Sequence, residues 1–275
     1  MLAKLIKYDL KAGIRIITSA YAFITLCALF ARVMLIISDI PHGSFKGISR
    51  ILFAVSIFIL ILSAIAICVI TLVLVVLRYR NNLLRDEGYL MHTLPVSPVK
   101  LYYSKILTAM LFFITDIVVI IFSIILSGFP KYSGIGWAEF KNAISTFHYG
   151  SLKYGINGNF YIVCIIILLL VALYSSIAQF FVSLNIGYSL PFGKGASKDL
   201  ISIIAYITIY IISQIIIVVL FITGALIADF NFADETAIIG YTASMLCFSI
   251  AVMAVSAIIY NTISIILMKK KLNLE

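Results

Sequence analysis

The sequence predicts an all-α integral membrane protein with six transmembrane helices, an N-terminal amphipathic interfacial helix and a short cytoplasmic helix between spans two and three. Three observations lead there. Of 275 residues, 63% are hydrophobic and only 11% charged, against about 25% charged in soluble domains. The charged residues cluster between long apolar runs instead of spreading over a surface. Those runs are continuous, which fits helices whose peptide groups are satisfied internally in lipid and not the ten-residue alternation of a barrel strand.

Residues 1–15 carry the interfacial helix. At 100° per residue, Lys4, Lys7, Lys11 and Arg15 occupy one quadrant while Leu2, Leu5, Ile6, Leu10, Ile16 and Ile17 face the other way, the pattern of a helix lying at a membrane surface. Its basic face suits anionic headgroups, so membrane lipid is an expected partner. Asp9 projects from the apolar arc and either snorkels or meets a cation on a neighbouring helix. The start is not a cleavable signal: its charged region is long, the apolar run from Ile16 to Ile37 exceeds a signal core, and Arg32 follows Ala31 where small residues would be wanted. It reads as a retained first span.

A span needs about 20 apolar residues, and six segments qualify: 16–38, 51–77, 103–128, 160–184, 200–228 and 237–267. All five prolines, Pro41, Pro95, Pro98, Pro130 and Pro191, fall between them, as helix ends require. The side bearing both termini and the loops 78–105 and 185–199 holds fourteen Lys and Arg, and the other side five. That asymmetry puts both termini in the cytoplasm. The last two segments are longer than a simple span needs, and Gly240 is a candidate break. No internal repeat is visible, so the inverted-repeat sign of many secondary transporters is lacking. The external segment 129–159 repeats Trp137, Phe140, Ile144 and Phe147 at helical spacing. This helix either rests on the outer surface or packs on the span ends.

The net charge of +9 is spread over the ends of apolar runs, a topology signal and not a nucleic-acid stripe. Cys27, Cys68, Cys164 and Cys247 all lie inside apolar runs and give neither a disulfide framework nor metal spacing. His42, His92 and His148 are too dispersed to form a metal cluster within the bilayer, and no paired-carboxylate or HExxH spacing occurs. No catalytic, metal or cofactor-binding residue is expected.

Inside the bilayer, Arg32 and Asp116 are the two charges. Either they form a helix–helix ion pair or hydroxyls satisfy Asp116, or they serve a substrate or proton site. Asp116, Ser123 and Ser127 share a helical face. Gln214 and Asn261 read as interhelical hydrogen bonds, and Gly224 with Ala228 as a close-packing pair.

The loop RYRNNLLRDEGYLMHTLPVSPVKLYYSK, from Arg78 to Lys105, reads as a short helix held below the membrane. Gly88 can end the helix, and the Thr-Leu-Pro-Val-Ser-Pro run fixes an extended turn before span three. Leu83, Leu84, Tyr89, Leu90 and Met91 are too apolar for a free loop, so they either fold back on the helix ends or fill a groove on a partner. Together with the KYDLKAGIR start, the six spans and a weaker echo in SLNIGYS, the RDEGYLMHTLPVSPVKLYYSK wording resembles permease subunits of type 2 ATP-binding-cassette exporters, in a branch common in Gram-positive bacteria. The resemblance implies a bacterial plasma membrane, two permease subunits (a second copy or a paralogue) and two cytoplasmic ATPase subunits. It makes Asn82 to His92 the coupling segment, with Asn82, Arg85, Asp86, Glu87, Gly88, Tyr89, Leu90, Met91 and His92 docking on the ATPase. The class often has a re-entrant pair between spans five and six, where this chain has about eight polar residues.

An exporter needs an energy source. GYSLPFGKGAS is the nearest approach to a phosphate-binding loop, but Gly187 to Gly193 is one residue too long and Gly195 stands where magnesium-binding Ser or Thr belongs. ATP and Mg are therefore expected on the partner ATPase and not on this chain, which is read as a non-enzymatic subunit moving a hydrophobic or amphipathic peptide, lipid or drug. The alternatives are a secondary transporter or channel without an ATPase, or a membrane-embedded sensor or assembly partner.

Overall fold

The computed structural model describes residues 2–38, 45–85, 96–129, 137–153, 158–190, 196–227 and 235–270. Its helices are α1 (Leu2–Ser38), α2 (Phe45–Tyr79), a π-helical turn (Arg80–Leu84), α3 (Pro98–Ser127), α4 (Trp137–Lys153), α5 (Gly158–Ser189), α6 (Ala196–Ile227) and α7 (Glu235–Lys270). Six of them, α1, α2, α3, α5, α6 and α7, are long and apolar enough to cross a bilayer, which makes the chain a multi-pass membrane protein.

Two local differences from the sequence reading have clear causes. Residues 2–15 do not form a separate interfacial helix: α1 runs unbroken from Leu2 to Ser38. Gly13, the one weak helix former at the junction, is buried and leaves the hydrogen-bond ladder intact. Likewise Gly240 does not interrupt α7; one glycine costs a helix only about 1 kcal/mol, too little to break it. Of the expected coupling segment, Asp86 to His92 lie outside the described residues; on either side of them α2 widens into the π turn, and α3 begins at Pro98, a residue suited to a first helical position. The helix expected across Trp137 to Phe147 is present as α4.

The chain divides into two compact units. The first comprises Met1–Leu77 and Leu107–Ala143. Buried positions on α2 recur as Ser49, Phe53, Ser56, Leu60, Ser63, Ile67, Thr71 and Leu74, in steps of four and three that alternate as far as Ile67, close to the 3.5-residue period of a supercoiled helix pair. On α1 the matching stripe is Ile17, Ile24, Ala28, Ala31 and Leu35. Ile17 packs with Leu74 and Phe112, and Leu35 with Phe53 and Ala31, so α1 and α2 run antiparallel. The α2 serines allow close approach because Ser56 and Ser63 return their hydroxyls to the carbonyls of Phe53 and Leu60, a local bond that leaves no polar atom facing lipid.

The second unit comprises Arg78–Ile106 and Ile144–Glu275. Here α5 is the central helix, packed against α7 and α6 and touching the π turn. Its second half is buried almost all round, through Phe181, Val182, Ser183, Leu184, Asn185, Gly187 and Tyr188. In contrast, the most apolar stretch of α6 has none of its residues buried.

Candidate functional site

The site builds up from the junction of α2 with the segment that follows it. Tyr79, the last residue of α2, stacks on Phe181 of α5 with ring centroids 3.9 Å apart and planes within 13°. Tyr102, in the second turn of α3, meets both rings edge-on, 6.5 Å from Tyr79 and 6.2 Å from Phe181. All three are essentially fully buried, and offset or edge-on pairs of this kind contribute about 0.5–1.5 kcal/mol each beyond burial. Because buried phenols need partners, each finds one: Tyr79 donates to Asn185 Oδ1 at 3.0 Å and Tyr102 to Asn261 Oδ1 at 2.8 Å. Asn261 completes the bridge by donating from Nδ2 to the Tyr174 hydroxyl at 2.7 Å. The interhelical role expected of Asn261 is thus filled by α3 and α5 together.

Beyond Tyr79 the π turn closes with Arg85 N–H bonding to the Arg80 carbonyl at 3.1 Å, and Arg85 itself is extended. Leu83 and Leu84 are buried, so these two apolar residues fold back onto the chain's own helix ends. The turn brings two guanidiniums to one carboxylate, Asp199 in the first turn of α6. Arg85 Nη2 donates to Asp199 Oδ2 at 2.9 Å, and Arg80 Nε lies 3.2 Å from Oδ1 as an ion pair without an aligned hydrogen bond. Tyr188 closes the ring, donating to Asp199 Oδ1 at 2.7 Å and accepting from Arg85 Nε at 3.0 Å. A carboxylate at a helix N-terminus is favoured by the helix dipole, and charge-assisted bonds of this length are stronger than neutral ones. Both ends of the connection from α2 to α3 are therefore pinned inside the second unit. Asn82 is half-buried and partnered, whereas Asp86, Glu87, Gly88, Tyr89, Leu90, Met91 and His92 lie outside the described residues.

In the first unit the two intramembrane charges are not brought together. Asp116, 1% exposed, accepts from the Tyr21 hydroxyl of α1 at 2.6 Å, and Tyr21 also meets Thr115 at 2.9 Å. Its other oxygen, Oδ2, has no hydrogen-bond partner among the described residues. Arg32 instead lies against Gly128, just past the last residue of α3, where its guanidinium fills the space a Cβ would take. Twelve helical residues, about 18 Å, separate the two positions. A cation there complements the unpaired carbonyls of the α3 C-terminus. Ser123 and Ser127 share Asp116's buried face, as expected.

The remaining expected residues are placed as follows. Lys4, Lys7, Lys11 and Arg15 are all exposed, on the first four turns of α1, while Asp9 is half-buried and partnered. Gln214 is exposed on α6 and makes no interhelical hydrogen bond among the described residues, because that length of α6 buries nothing. Gly224 does mark close packing: a Cβ there would sit 3.2 Å from the Met245 side chain of α7. Sequence reasoning missed Asp199, Arg80, Tyr188, Tyr79 and Phe181. Asp199 was legible only as an acidic residue opening a helix.

Fold and site define a multi-pass membrane protein with six helices able to span a bilayer among the described residues and a polar clamp where α2 ends. Comparison with family models, curated proteins and solved structures returns no match.

Proposed function

We propose that the chain is the permease subunit of an ATP-binding-cassette exporter, working with a second permease copy or a paralogue and with separate ATPase subunits that carry the ATP and Mg. The observation that carries this reading is the pinning of the α2–α3 connection at both ends, by Tyr79 and Tyr102 on Phe181 and by Arg80 and Arg85 on Asp199. A segment that receives force from a cytoplasmic motor must be fixed to the helices it moves, and these contacts fix it to α5, α6 and α7. On this reading both termini and the connection face the cytoplasm, and the Asn82 to His92 segment docks on the ATPase. The exposed basic ridge of α1 meets anionic lipid, and the substrate is a hydrophobic or amphipathic peptide, lipid or drug. ATP does work because ATPase closure favours one permease conformer over the other.

The test is co-purification of the chain with candidate ATPase subunits, then ATPase assay of wild type and a Glu87→Arg, Tyr89→Ala double variant. Loss of the complex or of stimulated hydrolysis in the variant supports the proposal. Normal assembly and hydrolysis defeat it.

One observation favours a second reading, transport without an ATPase: the buried Asp116 carboxyl with an unpartnered oxygen. Substrate uptake by the chain alone in vesicles, abolished by Asp116→Asn with assembly intact, would select it.

A further inference from the structure

Within the second unit, α6 packs on α5 along one side, where Ser202 approaches Gly187 and Tyr206 stacks on Phe180 with ring centroids 4.4 Å apart. The side turned away carries Leu200, Ile204, Ile207, Ile211, Gln214 and Val218. Steps of four and three alternate along this stripe, the 3.5-residue period of a two-stranded supercoil. Its five apolar members are each at least half exposed, and Gln214 is exposed with them. Gln214 lies about 5 Å from the middle of the Ser197–Gly224 span, too deep for so short a side chain to reach the headgroups. Three hydroxyls of the same helix are satisfied locally: Thr208, Ser213 and Thr223 donate to the carbonyls of Ile204, Tyr210 and Val219. The Gln214 amide has two N–H donors and an acceptor, makes no hydrogen bond among the described residues, and meets nothing in hydrocarbon that could supply one.

We propose that this stripe is a seam on which a second copy of the chain docks, α6 against α6, with the two Gln214 side chains bonded to each other at its centre. Three arguments select a second copy as the occupant. A side-chain amide is its own complement, since the carbonyl of one accepts from the N–H of the other. Two copies inserted the same way across a bilayer are related by a two-fold axis along its normal, so their α6 helices run parallel and a seam residue faces its own counterpart. Along the seam, β-branched Ile204, Ile211 and Val218 alternate with Leu200, Ile207 and Gln214, an arrangement suited to parallel pairs in which one polar residue fixes the register. Packing and that hydrogen bond hold the helices together, because lipid gives apolar side chains no reason of their own to associate. The seam rests on the exporter reading only for its second permease copy, and names the surface through which that copy is held.

The experiment reconstitutes the full chain in liposomes, with donor and acceptor dyes on separate copies, and follows energy transfer between them as the protein is diluted in lipid. Gln214→Leu should need roughly tenfold more protein per lipid than wild type to associate, whereas Gln214→Asn, which keeps an amide, should stay near wild type. Leucine suits lipid, so Gln214→Leu should unfold as wild type does. In a background with the four cysteines replaced by alanine, copper phenanthroline should cross-link Gln214→Cys and Ile207→Cys chains into dimers. Ser213→Cys, on the half-buried side, should stay monomeric. Unchanged association of Gln214→Leu, no dimer from Gln214→Cys, or equal cross-linking of Ser213→Cys would each overturn the proposal. None of these readouts involves an ATPase, so failure of the seam and failure of ATPase docking are told apart.

Discussion

Gly187 of α5 and Ser202 of α6 approach so closely that a Cβ built on Gly187 would lie 2.7 Å from the Ser202 backbone nitrogen, with the Lys198 carbonyl at 2.9 Å. Only the absent side chain allows the two helices to meet there, next to Tyr188 and the Asp199 clamp.

Gly187→Ala should therefore destabilise the fold, although alanine is the better helix former. Overpacking against backbone costs about 1–3 kcal/mol and exceeds the helix gain of about 1 kcal/mol. Gly47, where a Cβ meets nothing within 4 Å, is the control, and Gly47→Ala should be neutral or slightly stabilising. Thermal unfolding of both variants in detergent checks the contrast.

Asp199→Ala should release both guanidiniums and leave them facing each other. The side chains involved are 20–33% exposed, so the expected loss is about 1–2 kcal/mol, below the 3–5 kcal/mol of a fully buried pair. Raised salt should shrink the difference between wild type and variant. A melting-temperature series against ionic strength measures it.

Gly128 has a φ of 76° and holds the Arg32 guanidinium where a Cβ would sit. Gly128→Ala should lose about 1–2 kcal/mol from the backbone alone, with a further loss from displaced Arg32. Pairing it with Arg32→Ala should recover only the second part. A double-variant cycle on unfolding free energies separates the two.

Tyr21→Phe should remove the donor at 2.6 Å from Asp116 and cost about 1–3 kcal/mol, the penalty for leaving a buried acceptor unmade. In an Asp116→Ala background the same change should cost much less. Equal losses in both backgrounds would sink the pairing.

What the sequence revealed, and what it hid, follow a physical division. Spans could be placed because their signal is local: long apolar runs ended by prolines, with α3 starting at Pro98 itself. The heptad-like stripe on α2 was equally present in the sequence as Ser49, Ser56 and Ser63 spaced by seven. Partnerships were hidden because they join residues far apart along the chain. Asp116 could be recognised as a charge needing company, but Tyr21, 95 positions away, carries no mark of being that company. Depth along the spans left an Arg32–Asp116 pair open, whereas the fold sets Arg32 against Gly128 at the end of α3. The wheel of residues 2–15 gathers four cations on one face, yet periodicity alone does not say whether a helix stops, and α1 runs on to Ser38.

The π turn at Arg80–Leu84 has one more consequence, best expressed as a residue count. In an α-helix, positions five apart point about 140° away from each other, so Arg80 and Arg85 could not share one carboxylate. The wider turn, with its bond from each residue to the fifth one on, returns both to one side. The clamp thus depends on a single inserted residue's worth of backbone. Shortening the chain by one position there would keep every charge and still undo the pairing, so this stretch should tolerate substitution more readily than deletion.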